Sequence, residues 1–274
     1  MKLMRVGSIY MLLGLILFGL LFPFYVMLIT SLKPMSEVFS IPPTWLPAKP
    51  SLHSYVEVWQ AVPLGRFFWN SLVIATGASI LTLACAIPAG YALARYRFPG
   101  RSLVLYTILV TQMFSPVVVI ITLFKVLSAY KLLNTYAALI VTNAAFALAF
   151  SLWMLTGFFQ SVPKEVEEAA QLDGCTTVQT MLKILVPLAA PGVATTVVYT
   201  FILAWNEFIF ALTFISSTRM QPLTLGLASF IGRFTIEWNL LMAGSLLATV
   251  PVIVLFLLVE KHLVTGLSAG ALKS

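Results

Sequence analysis

The sequence predicts an all-α integral membrane protein with six transmembrane helices. Three observations carry that reading. Hydrophobic residues make up 60% of the 274-residue chain and charged residues only 9%, against roughly 25% charged in soluble domains. Mean hydropathy is +1.00. Six mainly apolar segments each approach the ~20 residues needed to cross a bilayer.

The first segment, near 9–31, follows Lys2 and Arg5 and imitates a signal peptide. Its apolar run is too long for one and lacks a small-x-small cleavage site, so it reads as an uncleaved span. The others fall near 68–94, 102–124, 136–158, 188–214 and 240–260. Loop residues punctuate them: Pro42, Pro43, Pro47 and Pro50 after the first, Pro99-Gly100 after the second, Pro163 and Asp173-Gly174 after the fourth. Pro88, Pro116 and Pro251 fall within spans, where they kink helices.

Orientation follows the distribution of Lys and Arg. A cytoplasmic amino terminus places nine of the sixteen on the cytoplasmic side and seven outside. The stronger signal is local, since Arg95, Arg97 and Arg101 crowd one short loop between two spans. Both termini are therefore assigned to the cytoplasm, which leaves external segments at 32–67 and 215–239 and an internal one at 159–187. The net charge of +7 is spread thinly between apolar segments rather than gathered on a face, which argues against nucleic acid as a partner. Cys85 lies in an apolar run and Cys175 in a charged connection, so they are not expected to pair.

The internal segment differs from the other connections. It holds Glu165, Glu167, Glu168 and Asp173, four of the nine acidic residues. Pro163 suits the first turn of a helix, and the three glutamates complement the positive end of its dipole. Asp173-Gly174 ends that helix. Thr176 and Gln179 have capping-box spacing for a second helix through Met181, Leu182 and Leu185, and Pro187 leads into the fifth span. Val166, Ala169, Ala170 and Leu172 give the first helix a small apolar face. An amphipathic helix lying on lipid is the bland alternative, but such helices favour Lys and Arg on their polar face, and this one is acidic.

The run EAAQLDGCTTVQTMLKILVP, residues 168–187, resembles the EAA loop of binding-protein-dependent ABC importer permeases. Glu168, Ala169, Ala170, Asp173, Gly174, Ile184 and Pro187 carry the pattern; Val186 stands where the family usually has Leu. Further matching segments are Asn70-Ser71, AYALARYRFPGR, LLNTYAALI, AWNEFIFAL and GLSAGALKS, which narrow the likeness to the smaller channel subunit of maltose-type, carbohydrate-uptake importers. The resemblance implies a type I ABC importer permease fold in the inner membrane of a bacterium or archaeon. Residues 1–66 would form the first span and external Pro-rich loop, 67–260 the core permease domain with five spans and the EAA coupling loop, and 261–274 a cytoplasmic tail. It also implies partners: a second homologous permease, two ABC ATPase subunits that dock on the EAA loop, an external solute-binding protein and a sugar-like substrate. ATP and Mg would sit on the ATPases, leaving no cofactor for this chain and making it a non-catalytic subunit. Segment 215–239 would meet the binding protein, although an ordered cap over the bundle explains the same residues.

Within the fifth span lie Trp205, Asn206 and Glu207. An ionisable group within a span costs about 2–3 kcal/mol on insertion scales. Glu207 and Asn206 therefore either face the translocation path, a buried helix–helix hydrogen bond, or headgroup water. Gln112 and Asn143 read as helix–helix hydrogen bonds. An ion-coupled secondary transporter using Glu207 is the alternative function; it calls for broken helices and inverted repeats, neither of which is evident in the sequence. A membrane enzyme is disfavoured because the two histidines, His53 and His262, fall on opposite sides. Gly266 to Ser274 is not a phosphate-binding loop, since Gly does not directly precede Lys273.

Overall fold

The computed structural model describes residues 2–271, with side chains described for residues 9–108 and 110–260. The helices, in chain order, are α1 (Lys2–Leu32), α2 (Met35–Val38), α3 (His53–Ala61), α4 (Leu64–Arg95), α5 (Arg101–Thr111), α6 (Pro116–Ala129) and α7 (Tyr136–Ser161). There follow α8 (Lys164–Leu172), α9 (Thr177–Gln179), α10 (Val186–Leu188), α11 (Ala190–Trp205), α12 (Ile209–Phe214), α13 (Leu223–Leu227) and α14 (Trp238–Ala271). Among the described residues the fold is all-α, with one isolated bridge between Ile231 and Ile236. Side chains of the tail 261–274 lie outside the described set.

Among the described residues four helices are long and apolar enough to cross a bilayer unaided: Ile9–Leu32, Leu64–Arg95, Tyr136–Ser161 and Trp238–Glu260. The other two expected spans are not single helices. The third is α5 and α6, interrupted at residues 112–115. Pro116 begins α6, and Ser115 before it is extended at φ −65°, ψ 135°, the conformation a following proline imposes. Gln112 donates across the gap to the Phe146 carbonyl at 3.0 Å, as the helix–helix reading expected. The fifth span is α11 and α12, interrupted at residues 206–208. Pro88 and Pro251, by contrast, lie inside the uninterrupted helices α4 and α14.

The chain forms two compact units, Met1–Gly65 with Gly226–Val250 and Arg66–Leu225 with Pro251–Ser274. In the first, α1 is apolar and largely exposed from Ile9 to Leu28, as suits a helix whose solvent is lipid. Its end is tied down by a hydrogen bond of 2.8 Å between Ser31 and Tyr55 and by Lys33, which donates to the Thr44 carbonyl. Glu37 accepts from Thr44 and from the Ala48 amide at 3.0 Å each, which orders the Pro-rich loop.

The second unit is built around α7, whose face carries Ala138, Ala144, Ala147, Leu155 and Phe159 into the interior. Small residues on its neighbours permit close approach. A Cβ at Gly90 of α4 would stand 3.4 Å from Leu155, and one at Gly192 of α11 would overlap the Phe158 ring. Asn143 departs from the expected helix–helix bond: its amide donates within α7 to the Leu139 carbonyl at 2.9 Å, and its buried Oδ1 has no partner. Asn70 and Ser71 fasten the segment after α12. The Asn70 amide donates to the Arg219 and Gln221 carbonyls at 3.0 and 2.8 Å, its oxygen accepts from Tyr136 at 2.7 Å, and Ser71 accepts from the Leu223 amide at 2.8 Å.

Candidate coupling loop and interrupted span

The connection between α7 and α11 is the most elaborate in the second unit. Pro163 is extended at φ −57°, ψ 140° and occupies the position before the helix, one residue earlier than expected, so α8 starts at Lys164. Glu165 and Glu167 lie in its first turn. The helix ends in a Schellman motif: Gly174 is left-handed at φ +87°, the Cys175 amide donates to the Ala170 carbonyl and the Gly174 amide to that of Gln171, both at 3.0 Å. Thr176 and Gln179 form the expected capping box, with hydrogen bonds of 2.9 and 3.3 Å.

Beyond the box the chain is not a plain α-helix. Residues Thr180–Leu185 are π-helical, with the Val186 amide reaching the Met181 carbonyl. The run Thr177–Leu188 then meets Ala190–Trp205 at an 82° bend, with Ala189 at φ −90°, ψ 17° as the corner. Leu185 and Ala189 are buried against Tyr91, Leu155 and Phe159, which clamps the corner to α4 and α7.

The face that α8 turns inward differs from the apolar face read from the sequence. Glu167 and Ala170 are buried, whereas Val166 and Ala169 are exposed and Leu172 is 89% exposed. Burial of Glu167 is compensated by Arg95, the last residue of α4. The two side chains form an ion pair with only 8% and 7% of their surfaces exposed, and Arg95 also donates to the Val162 carbonyl at 2.9 Å. Sequence reading counted Arg95 as a topology signal and missed this pair; three glutamates within four residues were the only hint. Of the residues carrying the motif, Glu168, Ala169, Asp173, Gly174 and Pro187 are exposed, Ile184 is half-buried and Ala170 faces the chain's own interior. Val178 and Leu182 extend the exposed apolar surface onto the second limb.

At the interruption of the fifth span the three singled-out residues part company. Trp205 is buried, stacked on Phe201 at 5.5 Å and edge-on to Phe68 at 6.0 Å. Asn206 closes α11 at φ −88°, ψ −1° and is exposed, its amide donating to the Ile202 carbonyl at 2.9 Å. Glu207 is half-buried and caps α12: its carboxylate accepts from the Phe210 amide at 2.5 Å and the Ala211 amide at 3.0 Å. An acid at that end of a helix meets the positive end of the dipole. Its carbonyl accepts from Thr224 at 2.6 Å. The broken helix thus exists, so its presence does not by itself separate the two transporter readings.

Long apolar helices joined by a polar, ordered helix pair with an exposed surface define the class: a multi-pass membrane protein. The chain belongs to the family described as binding-protein-dependent transport system inner membrane component, which it matches over residues 86–268; it is a multi-pass inner-membrane permease of an ABC importer. It is 37% identical to the sulfoquinovosyl glycerol transport system permease protein SmoH of Agrobacterium fabrum, over 92% of this chain and 89% of that one. It is 36% identical to the trehalose/maltose transport system permease protein MalG of Thermococcus litoralis, over 97% and 96% of the two chains. A solved bacterial ABC transporter involved in the import of the acidic polysaccharide alginate superposes with a TM-score of 0.80 at 23% identity, covering 94% of this chain and 96% of that one, a likeness of fold.

Proposed function

We propose that this chain is one of two non-identical permease subunits that together carry a sugar or sugar derivative into the cytoplasm by alternating access. In this reading ATP is hydrolysed on two partner ATPases, and an external binding protein delivers the substrate. The chain makes and breaks no covalent bonds and needs no cofactor of its own, ATP and Mg residing on the partners. The observation that carries the reading is the helix pair of α8 and α9: Glu168, Ala169, Asp173 and Gly174 are exposed, while the buried Arg95–Glu167 pair and the Schellman turn hold their backbone rigid. Exposed Leu172, Val178 and Leu182 on an otherwise polar surface fit a helix seated in a groove of another protein. The relatives named for sulfoquinovosyl glycerol and for trehalose and maltose support a sugar-like cargo. Both termini and the 159–187 loop are assigned to the cytoplasm, and residues 215–239 to the side that receives the binding protein. Asn206 and Glu207, at the break in the fifth span, contribute to the path; an exposed amide at the depth of a span faces water or the partner permease rather than lipid.

The test is uptake by the reconstituted complex in proteoliposomes, with crosslinking from position 168. Uptake should require ATP and the binding protein, survive collapse of the proton gradient, and be accompanied by crosslinks to the ATPase. The interruption at residues 206–208 is compatible with either mode of transport, so the energy source is what the assay must separate. Uptake driven by a proton gradient without an ATPase would establish the secondary-transporter alternative and overturn this reading.

A further inference from the structure

A polar cavity of about 520 Å³ opens between the end of α4, the start of α5, and the junction of α7 with α8. Its charged lining is Arg95, Arg97, Arg101, Lys164 and Glu165. Arg95 is already neutralised by Glu167. Among the described residues no carboxylate lies within ion-pair distance of Arg97, Arg101 or Lys164, so three cations face one acid. Arg101 is further exposed to the positive end of the α5 dipole, where a cation is disfavoured and an anion favoured. Its Nε is shut off from water and has no hydrogen-bond partner. With no carboxylate in reach, the Arg101 guanidinium also lacks a charge partner, which an anion in the cavity would supply.

The cavity's position indicates where the anion comes from. It sits where α4 ends, α5 begins and α7 ends, at the ends of three apolar segments, where a headgroup would meet them. Tyr96 and Phe98 alternate with Arg97 and are exposed, an arrangement of rings and cations suited to the headgroup region. We propose that this cavity binds a phosphate-bearing anion, held by Arg97, Arg101 and Lys164 and supplied by an acidic phospholipid headgroup or as free phosphate. Bound there, the phosphate ties the α4–α5 loop to the first turn of α8 and so braces the base of the helix pair from within its own chain.

The test uses the purified full-length chain, stripped of lipid and returned to phosphatidylcholine nanodiscs with or without phosphatidylglycerol, and separately with added inorganic phosphate. Retained lipid is read by native mass spectrometry and thermal stability by melting. If the headgroup is the source, phosphatidylglycerol alone raises the melting temperature and stays bound; if soluble phosphate is the source, inorganic phosphate in plain phosphatidylcholine does the same. In either case Arg97→Gln with Arg101→Gln should weaken retention about tenfold or more, as loss of charge-assisted bonds requires. If that pair fails to insert, Arg101→Gln alone and Lys164→Gln serve, and Arg101→Lys, which keeps the charge but not the guanidinium fork, should fall between wild type and Arg101→Gln. The proposal is overturned if neither probe shifts the wild type, or if the glutamine variants respond as wild type does.

Discussion

Gly174 isolates the contribution of backbone conformation to coupling. Its φ is +87°, and a Cβ added there would meet nothing within 4 Å, so within this chain a substitution costs only through the backbone. Forcing an L-residue into the left-handed region costs about 1–2 kcal/mol, while replacing Gly by Ala recovers about 0.4–1 kcal/mol by restricting the unfolded chain. The net penalty for Gly174→Ala is therefore about 1 kcal/mol, and for the β-branched Gly174→Val about 2 kcal/mol or more. At 1.4 kcal/mol per decade, the equilibrium constant favouring the docking-competent turn falls about fivefold with Ala and about thirtyfold with Val. Asn tolerates the left-handed region, so Gly174→Asn should lie nearest wild type. The assay is co-purification of the ATPase with the permease pair, together with ATP-driven uptake in proteoliposomes. The expected order is Gly, Asn, Ala, Val, with membrane insertion equal throughout, because the turn lies outside the spans. Wild-type uptake by the Val variant would refute the coupling role. A loss for Asn equal to that for Val would show that side-chain volume in the partner's groove, not the backbone, sets the effect.

Three further outcomes follow from the geometry. Arg95→Gln should destabilise the second unit by about 3–5 kcal/mol by stranding the buried Glu167 carboxylate, seen as a lower melting temperature, and pairing it with Glu167→Gln should restore much of the loss; equal melting of the single variant and wild type would contradict the buried pair. Glu207→Gln leaves one acceptor oxygen where the carboxylate uses two, so α12 loses about 1 kcal/mol of capping; assembly should persist while the ratio of uptake to hydrolysis shifts, and unchanged uptake kinetics would assign Glu207 a capping role alone. Cysteines introduced near positions 97 and 170 should label from the cytoplasm and those near 50 and 233 from outside, the reverse pattern overturning the assigned orientation.

Much of this architecture was legible because hydropathy and cap chemistry are local. Four spans, the turn at Asp173-Gly174 and the Thr176–Gln179 box all rest on residues a few positions apart. The third span hid its break because Gln112 and Ser115 sit within strong apolar flanks, and an average over a span erases four residues. Pro116 was noticed as a kink, yet the break shows only in the backbone, where Ser115 is extended and the Met113 and Phe114 amides bond to Val110 and Thr111, three residues back. The inward face of α8 was misread for a different reason. Val166 and Leu172 are apolar, but what decides the face is Arg95, which lies 72 residues before Glu167 and meets it only after α4 and α7 have packed. Trp205, Asn206 and Glu207, adjacent in sequence, were treated together, and a helix terminus at Asn206 sends them to three different environments.

The 82° corner between Thr177–Leu188 and Ala190–Trp205 has a mechanical consequence. The twelve residues of the first limb, six of them π-helical, form an arm of at most about 18 Å, its length at the α-helical rise per residue, set nearly square to the shaft formed by the helix that follows. Pushing such an arm sideways produces torque on the shaft rather than thrust along it. A displacement of about 3 Å at the tip corresponds to a turn of about 10° over that length. With Leu185 and Ala189 clamped as the bearing, a partner that pushed the arm sideways would turn α11 about its long axis without sliding it along that axis.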